Sequence, residues 1–332
     1  MHGGVSALVL EGFPLHHDAL RRGLAALDRL AVVNDDGGRW IQSTTSPCWD
    51  TALMVKALCE AGLGLGGNGA RDRDRDARMA AAVDWVRARQ VLGPQGDWRV
   101  YSRNQQPGGW SFQYQNVWSP DLDDTAVVVM MMVLHDAAAV DSDAVGMALE
   151  WILGMQNRDG GWAGFDINND ALWLQSIPFN DMELIDPSTP DVVGRMLECF
   201  GMLLTHRKGG RHLRRGLARR LQESTKRALA FLFKHQTTEG AWWGRWGVNY
   251  IYGTANVLRG LTAFCNDKEV AWVALRAVLW LEACQNPDGG WGETTLSYED
   301  ASSAGQGPST AAQTAWALDA LLRFRPASDL AL

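Results

Sequence analysis

The feature that most constrains this chain is an internal repeat: an apolar stretch, usually a Gln, then a Gly-rich turn ending in Trp. The clearest copies are residues 148–162 (ALEWILGMQNRDGGW), 277–291 (AVLWLEACQNPDGGW) and 228–242 (ALAFLFKHQTTEGAW). Residues 82–98 read as a copy lengthened by insertion, and residues 24–40 as a degraded fifth. The copies close on Trp40, Trp98, Trp162, Trp242 and Trp291, in steps of 58, 64, 80 and 49 residues. That spacing is too uneven for a thin solenoid and suits helix pairs with loop insertions. After most turns comes a second stretch with a polar start and an almost continuous apolar body: Trp49-Asp-Thr-Ala, Asp123-Asp-Thr-Ala, Tyr252-Gly-Thr-Ala and Gln313-Thr-Ala-Trp. A helix apolar all round must be buried on all sides, so these second helices are expected to form an inner ring inside the amphipathic first helices. The predicted fold is all-α, an α/α barrel, with 1–332 as one catalytic domain. In it a turn Gly reverses the chain, the Gln amide satisfies free helix-end groups, and Trp98, Trp162, Trp242 and Trp291 pack between neighbours.

Composition excludes several classes. A net charge of −7 gives no cationic excess for phosphate, so nucleic acid is set aside. The longest apolar run, residues 126–134, is too short for a bilayer about 30 Å thick. The first residues lack a basic n-region and a cleavage site, and the five cysteines are odd in number and scattered, so a reduced, cytoplasmic protein is expected. The alternating charges of residues 71–76 read as a solvated insertion, and the basic run 206–220 as an exposed outer face rather than a lipid-head-group site.

The chemistry is concentrated at Ser119-Pro-Asp-Leu-Asp-Asp-Thr-Ala, which sets Asp121, Asp123 and Asp124 at the start of the most apolar helix. One or two such acids are ordinary helix caps. Three at the mouth of an inner helix cannot all ionise in a low dielectric, so at least one should keep its proton and act as a general acid. A protonated acid facing aromatic rings, with no nucleophile or metal set beside it, suits protonation of carbon, because π faces stabilise the cation formed.

The stretch from Gly108 through Trp110 to Val129 resembles the D-x-D-D region of class II terpene cyclases, closest to squalene–hopene cyclases, and the Gln–Trp copies resemble that family's QW repeats. Ser46-Pro-Cys-Trp-Asp-Thr-Ala-Leu, Gly160-Gly-Trp-Ala-Gly-Phe-Asp, Asp186-Pro-Ser-Thr-Pro-Asp-Val-Val, Gly244-Arg-Trp-Gly and Asn286-Pro-Asp-Gly-Gly-Trp-Gly-Glu continue the match in the family's order. The resemblance implies that Asp123 is the proton donor, tuned by Asp121 and Asp124, and that Tyr252 returns its proton from water. It further implies that Trp49, Phe112, Phe165 and Trp246 line the pocket. Where the family carries a His four residues after the Asp of its Pro-Ser-Glu-Asp-Val motif, this chain has Arg195. Arginine cannot relay a proton but can hold a carboxylate, so Arg195 is expected to anchor the acid cluster.

The resemblance implies one barrel of the two found in squalene–hopene cyclases, and the length is similar to that of single-domain meroterpenoid cyclases acting on a prenylated aromatic acid. The alternatives are a squalene–hopene-type cyclase working with a further domain, and a protein related to prenyltransferase β subunits. The first acts on a triterpene; the second would need a zinc set that the sequence does not offer. A non-enzymatic binding toroid leaves the three acids unexplained. No D-D-x-x-D run is present, so no Mg²⁺ cluster and no cofactor are implied. The expected partner is a hydrophobic prenylated small molecule. Peripheral membrane contact through Trp173 and Phe179 and a homo-oligomer complete the expectations.

Overall fold

The structure is a computed structural model that describes residues 2–42, 44–63, 72–114, 116–177, 184–205, 213 and 215–325. It divides into two compact units, Met1–Pro47 and Cys48–Leu332. The first unit holds helices α1 (His2–Leu10) and α2 (Asp18–Leu30) and a two-stranded antiparallel hairpin, β1 (Ala31–Val33) and β2 (Arg39–Ile41), in which Val32 faces Trp40. The degraded fifth copy is therefore a hairpin and not a Gln–Trp turn. Trp40 lies on it half exposed, because it has no preceding Gln to fasten the turn.

The second unit is helical throughout: α3 (Pro47–Leu58), α4 (Arg73–Arg87), α5 (Leu122–His135), α6 (Asp143–Gly154), α7 (Pro190–Thr205), α8 (Arg215–His235), α9 (Tyr250–Leu261), α10 (Lys268–Ala283) and α11 (Ala311–Leu322). It is an α/α barrel fold, with α5, α7, α9 and α11 packed in succession as inner helices. On α5 every residue except Asp123 and Leu134 is buried, and on α9 every residue except Arg259. The β-branched run Val127–Val129 is a poor intrinsic helix former, and burial on all sides overrides that preference. Outer α10 instead buries Val270, Val273, Ala274, Ala277, Val278 and Leu281, one stripe at helical spacing. Helices α3 and α11 depart from the all-round burial predicted for the inner ring: each buries a single face, and Met54 of α3 is exposed. Helices α7 and α9 approach closely where both lack side chains; a Cβ on Gly260 would stand 2.3 Å from the Gly194 carbonyl oxygen.

The repeat works as a fastening. Gln156 donates to the carbonyls of Gly160 and Ser224, and Gln236 to those of Gly240 and Val273, tying each turn to the next outer helix. The indoles of Trp162, Trp242 and Trp291 donate to Ile152, Leu232 and Leu281, each four residues before the repeat Gln. Gly160, Gly240 and Gly289 take φ of 93°, 109° and 83°, which explains why the first turn Gly is kept while the second is replaced by Ala241.

One copy is corrected. After Gln90, the indole that donates to the carbonyl four residues upstream, Val86, is Trp110 and not Trp98. Gln90 itself donates to Gly108 and Ala144. The chain between is looped out, and Trp98 is a buried residue of that insertion, packed edge-on against Trp151 at 6.2 Å. A nearer Gly-x-Trp had masked the true Gly108-Gly-Trp110. Among the described residues, no helix is long and apolar enough to cross a membrane.

Candidate active site

Trp110 brings the acids into place. Its backbone N–H donates to Thr125 Oγ1 at 2.9 Å, and its carbonyl accepts from Asp121 N at 2.7 Å, so the turn is stitched to the first residues of α5. The same stitch recurs from Trp242 to Thr254 and from Trp291 to Thr314. Asp121 is the N-cap of α5: its Oδ1 accepts from Asp123 N at 2.7 Å and Asp124 N at 3.2 Å. Asp124 is buried with one oxygen lacking a hydrogen-bond partner. Asp123 has 13% of its side chain exposed and, unlike the other two acids, is not fully buried.

Burial first, and then neighbouring acids, push all three carboxyls upward. Asp121 rises well above the usual range through burial and then Asp123, tempered by the two amides it accepts from. Asp124 rises well above it through burial, then Asp121 and Asp123. For Asp123, burial outweighs the pull of Arg195, and Asp191 and Glu198 add to the rise. All three thus hold a proton more tightly than a free carboxyl, and the most accessible of them is Asp123.

Arg195 is buried on α7, and its Nε donates to Asp123 Oδ1 at 2.9 Å. The carboxylate it meets is therefore that of the expected donor. Its Nη1 donates to Glu198 Oε2 at 3.3 Å, and its guanidinium lies 5.6 Å from the Trp49 ring centre. Tyr252 of α9 is buried beside this group; burial and then the Asp123 charge push its phenol up, so it stays protonated. Its ring meets Trp316 edge-on at 4.8 Å.

Two further acids position the aromatic residues. Asp186 accepts from Phe165 N at 2.7 Å and Asp166 N at 2.9 Å. Asp191 accepts from Arg245 N at 2.9 Å and Trp246 N at 3.0 Å. The loops held this way bring Phe165 and Trp246 together edge to face at 5.6 Å. Trp246 is 46% exposed, which does not suit a core filler of its size. Phe112 is half-buried in the segment after Trp110. The structure therefore joins Asp121, Asp123, Asp124, Arg195, Trp49 and Tyr252 into one group and Phe165 with Trp246 into another.

Sequence reasoning missed Lys56, Glu198, Asp186 and Asp191 as parts of this site. Lys56 and Glu198 were legible as charges inside apolar helices, and the two Asp residues stood within a quoted motif. Among the described residues, no cluster of three His, Cys, Asp or Glu side chains could hold a metal ion. A cavity of about 1100 Å³ lined in part by Gln105, Met147, Glu150, Leu217 and Arg220 contains none of the candidate side chains. Phe179 and, of the basic run 206–220, residues 206–212 and 214 lie outside the described residues. Of the rest of that run, Arg219 and Arg220 are exposed and paired with Glu223 and Glu150.

A family model for the squalene–hopene cyclase C-terminal domain matches residues 45–329. The chain is 74% identical, over 100% of its length, to a terpene cyclase–glycosyl transferase fusion protein of Humicola fuscoatra, of which it covers 25%. It is 46% identical, over 97% of its length, to the squalene hopane cyclase of Aspergillus fumigatus, of which it covers 46%. The chain thus spans between a quarter and just under half of these relatives. A solved structure of a type II terpene cyclase from Scytonema, in complex with geranylgeranyl dihydroxybenzoate, matches with a TM-score of 0.51 at 18% identity, over 83% of this chain and 62% of that one. That likeness is one of fold.

Proposed function

Because the chain belongs to the squalene–hopene cyclase C-terminal domain family, among the class II terpene cyclases, we propose that it carries the acid that starts cyclisation of a linear polyene. The observation that carries this reading is Asp123, the least buried of the three clustered acids, whose carboxyl is pushed upward by burial and by Asp191 and Glu198. In the proposed step Asp123 gives its proton to the terminal alkene carbon, or to the oxygen of a terminal epoxide. A C–H bond forms, or the C–O bond opens, and the carbon left cationic is attacked by the next double bond. Each ring closure moves the charge onward until a proton is lost or water adds. The Trp246 and Phe165 faces offer π density to these cations, and Asp186 and Asp191 preorganise them. The carboxylate left on Asp123 is held by Arg195 until Tyr252 passes its phenol proton back and takes another from water.

Identity to a squalene hopane cyclase supports a squalene-type polyene over the prenylated aromatic acid suggested by chain length. Length does not separate the two readings, since the chain spans only part of its relatives. The barrel unit is proposed as the catalytic part. The exposed side chains of Leu172, Trp173 and Ile177 support docking at a lipid surface, the source of such a substrate. Loss of vesicle co-sedimentation in Trp173→Ser is expected, and unchanged binding would remove this loop. A homo-oligomer is likewise proposed, to be read by sedimentation.

The test is incubation in D₂O with squalene, its terminal epoxide and a geranylgeranylated hydroxybenzoic acid, with Asp123→Asn alongside. A cyclised product from squalene carrying one deuterium at the initiating carbon, made by wild type alone, is expected. Equal conversion by both proteins would overturn the reading.

A further inference from the structure

Lys56 is a cation inside the barrel unit, on α3, with 7% of its side chain exposed. A buried ammonium is costly unless it is paired. It has two carboxylates: Glu60 one turn along at 2.9 Å, and Glu198 of α7 at 3.0 Å. Glu198, 10% exposed, takes Arg195 Nη1 on its other oxygen, while Arg195 Nε holds Asp123. A line of alternating charge, Lys56, Glu198, Arg195, Asp123, therefore crosses from α3 through α7 to α5.

The line resolves a conflict in the site. An arginine never gives up its proton, so alone it pulls Asp123 toward the anion, and an ionised carboxylate is no donor. We propose that Glu198, fixed by Lys56, is a positioning residue for the proton donor: it shares the Arg195 guanidinium, so that the arginine orients Asp123 without stripping its proton. This rests on the reading of Asp123 as the donor. Burial would push Glu198 up, but Lys56 first, then Arg195 and Arg259, hold it down at about 2, so its countercharge persists across any working pH. The other groups facing Asp123 are Asp121 and Asp124 on its own helix, Asp191 on α7 and Tyr252 on α9. All of these are left intact by changes at Lys56 and Glu198.

The experiment follows the infrared band of the protonated carboxyl that disappears in Asp123→Asn, as a function of pH, together with kcat/KM on squalene. In Glu198→Gln the titration and the alkaline limb of the rate are expected to move down by about one pH unit. Glu198→Asp is expected to restore both. Lys56→Met removes a cation and is expected to move them upward by less. Opposite shifts from the two ends of the line are not produced by loosened packing. An unmoved titration in both variants, or movement in one direction in both, would overturn the inference. Should Glu198→Gln not fold, the direction found for Lys56→Met decides. Equal squalene turnover by Asp123→Asn and wild type would instead overturn the donor assignment, whatever the infrared titrations show.

Discussion

Asp123 and Glu293 are both acids next to the start of an inner helix, and they are spent differently. Glu293 is buried and gives one oxygen to Asn249 N at 3.1 Å and Ile251 N at 2.8 Å, closing the start of α9. Asp121, Asp186 and Asp191 do the same for other backbone segments. Asp123 accepts instead from a side chain, Arg195, and keeps a face open. The barrel thus uses one residue type as mortar and as reagent, and what separates them is whether backbone amides have claimed the oxygens. An acid committed to two amides is held in place and loses reach; one whose oxygens no amide has claimed can turn a face to a substrate.

The sharpest way to break this comparison is at Asp123. Asp123→Asn is expected to lose about 10³-fold or more in turnover with its circular dichroism unchanged, as removal of a general acid requires. Asp191→Ala comes next, because it frees the Arg245–Trp246 backbone: turnover is expected to fall by about 10²-fold, the cost of a misplaced wall, with a lowered melting temperature. Glu293→Ala should cost about 1–3 kcal/mol of stability, the price of stranding buried amides, while the pH dependence of turnover stays as in wild type. A changed pH profile in that variant would erase the distinction between mortar and reagent.

The smallest effect concerns pH and stability. Asp124 has a raised carboxyl in the fold, so the folded chain binds more protons than the unfolded one between the ordinary carboxylate value, about 4, and the raised one. Its contribution to stability is complete below that window and declines as pH rises through it. Asp124→Asn should flatten the decline in denaturant midpoint across the window, and an unaltered slope would show that Asp124 does not titrate there. The rate should fall with rising pH for the same reason, as Asp123 loses its proton.

Much of this was legible in the residues, for physical reasons that can be named. All-round apolarity marked α5 and α9, because a helix with no polar face has only one place to go, whereas α7, which carries Asp191, Arg195 and Glu198, was not marked as an inner helix. The acids of α5 were legible because three carboxyls exceed what a cap needs. The true end of the second repeat was not, since Trp98 and Trp110 both end a Gly-x-Trp and only three-dimensional distance shows which indole reaches Val86. The link from Lys56 to Glu198 was hidden because it joins separate helices, and sequence spacing reports only neighbours along a helix, such as Arg195 and Glu198. The one-sided burial of α3 and α11 was hidden for a related reason: their apolar content matches that of the other inner helices, and burial depends on what lies beside them.

The stitch between each repeat Trp and the Thr of the following inner helix bears on the order in which the chain assembles. These bonds join residues 15, 12 and 23 apart, whereas the Arg195–Asp123 contact spans 72. Short loops cost less entropy to close, so each helix–turn–helix is expected to form on its own before the acid meets its arginine. In pulse-labelled hydrogen exchange during refolding, the amides of Trp110, Trp242 and Trp291 should gain protection ahead of activity. A chain of this design has its scaffold standing while its chemistry is still in pieces.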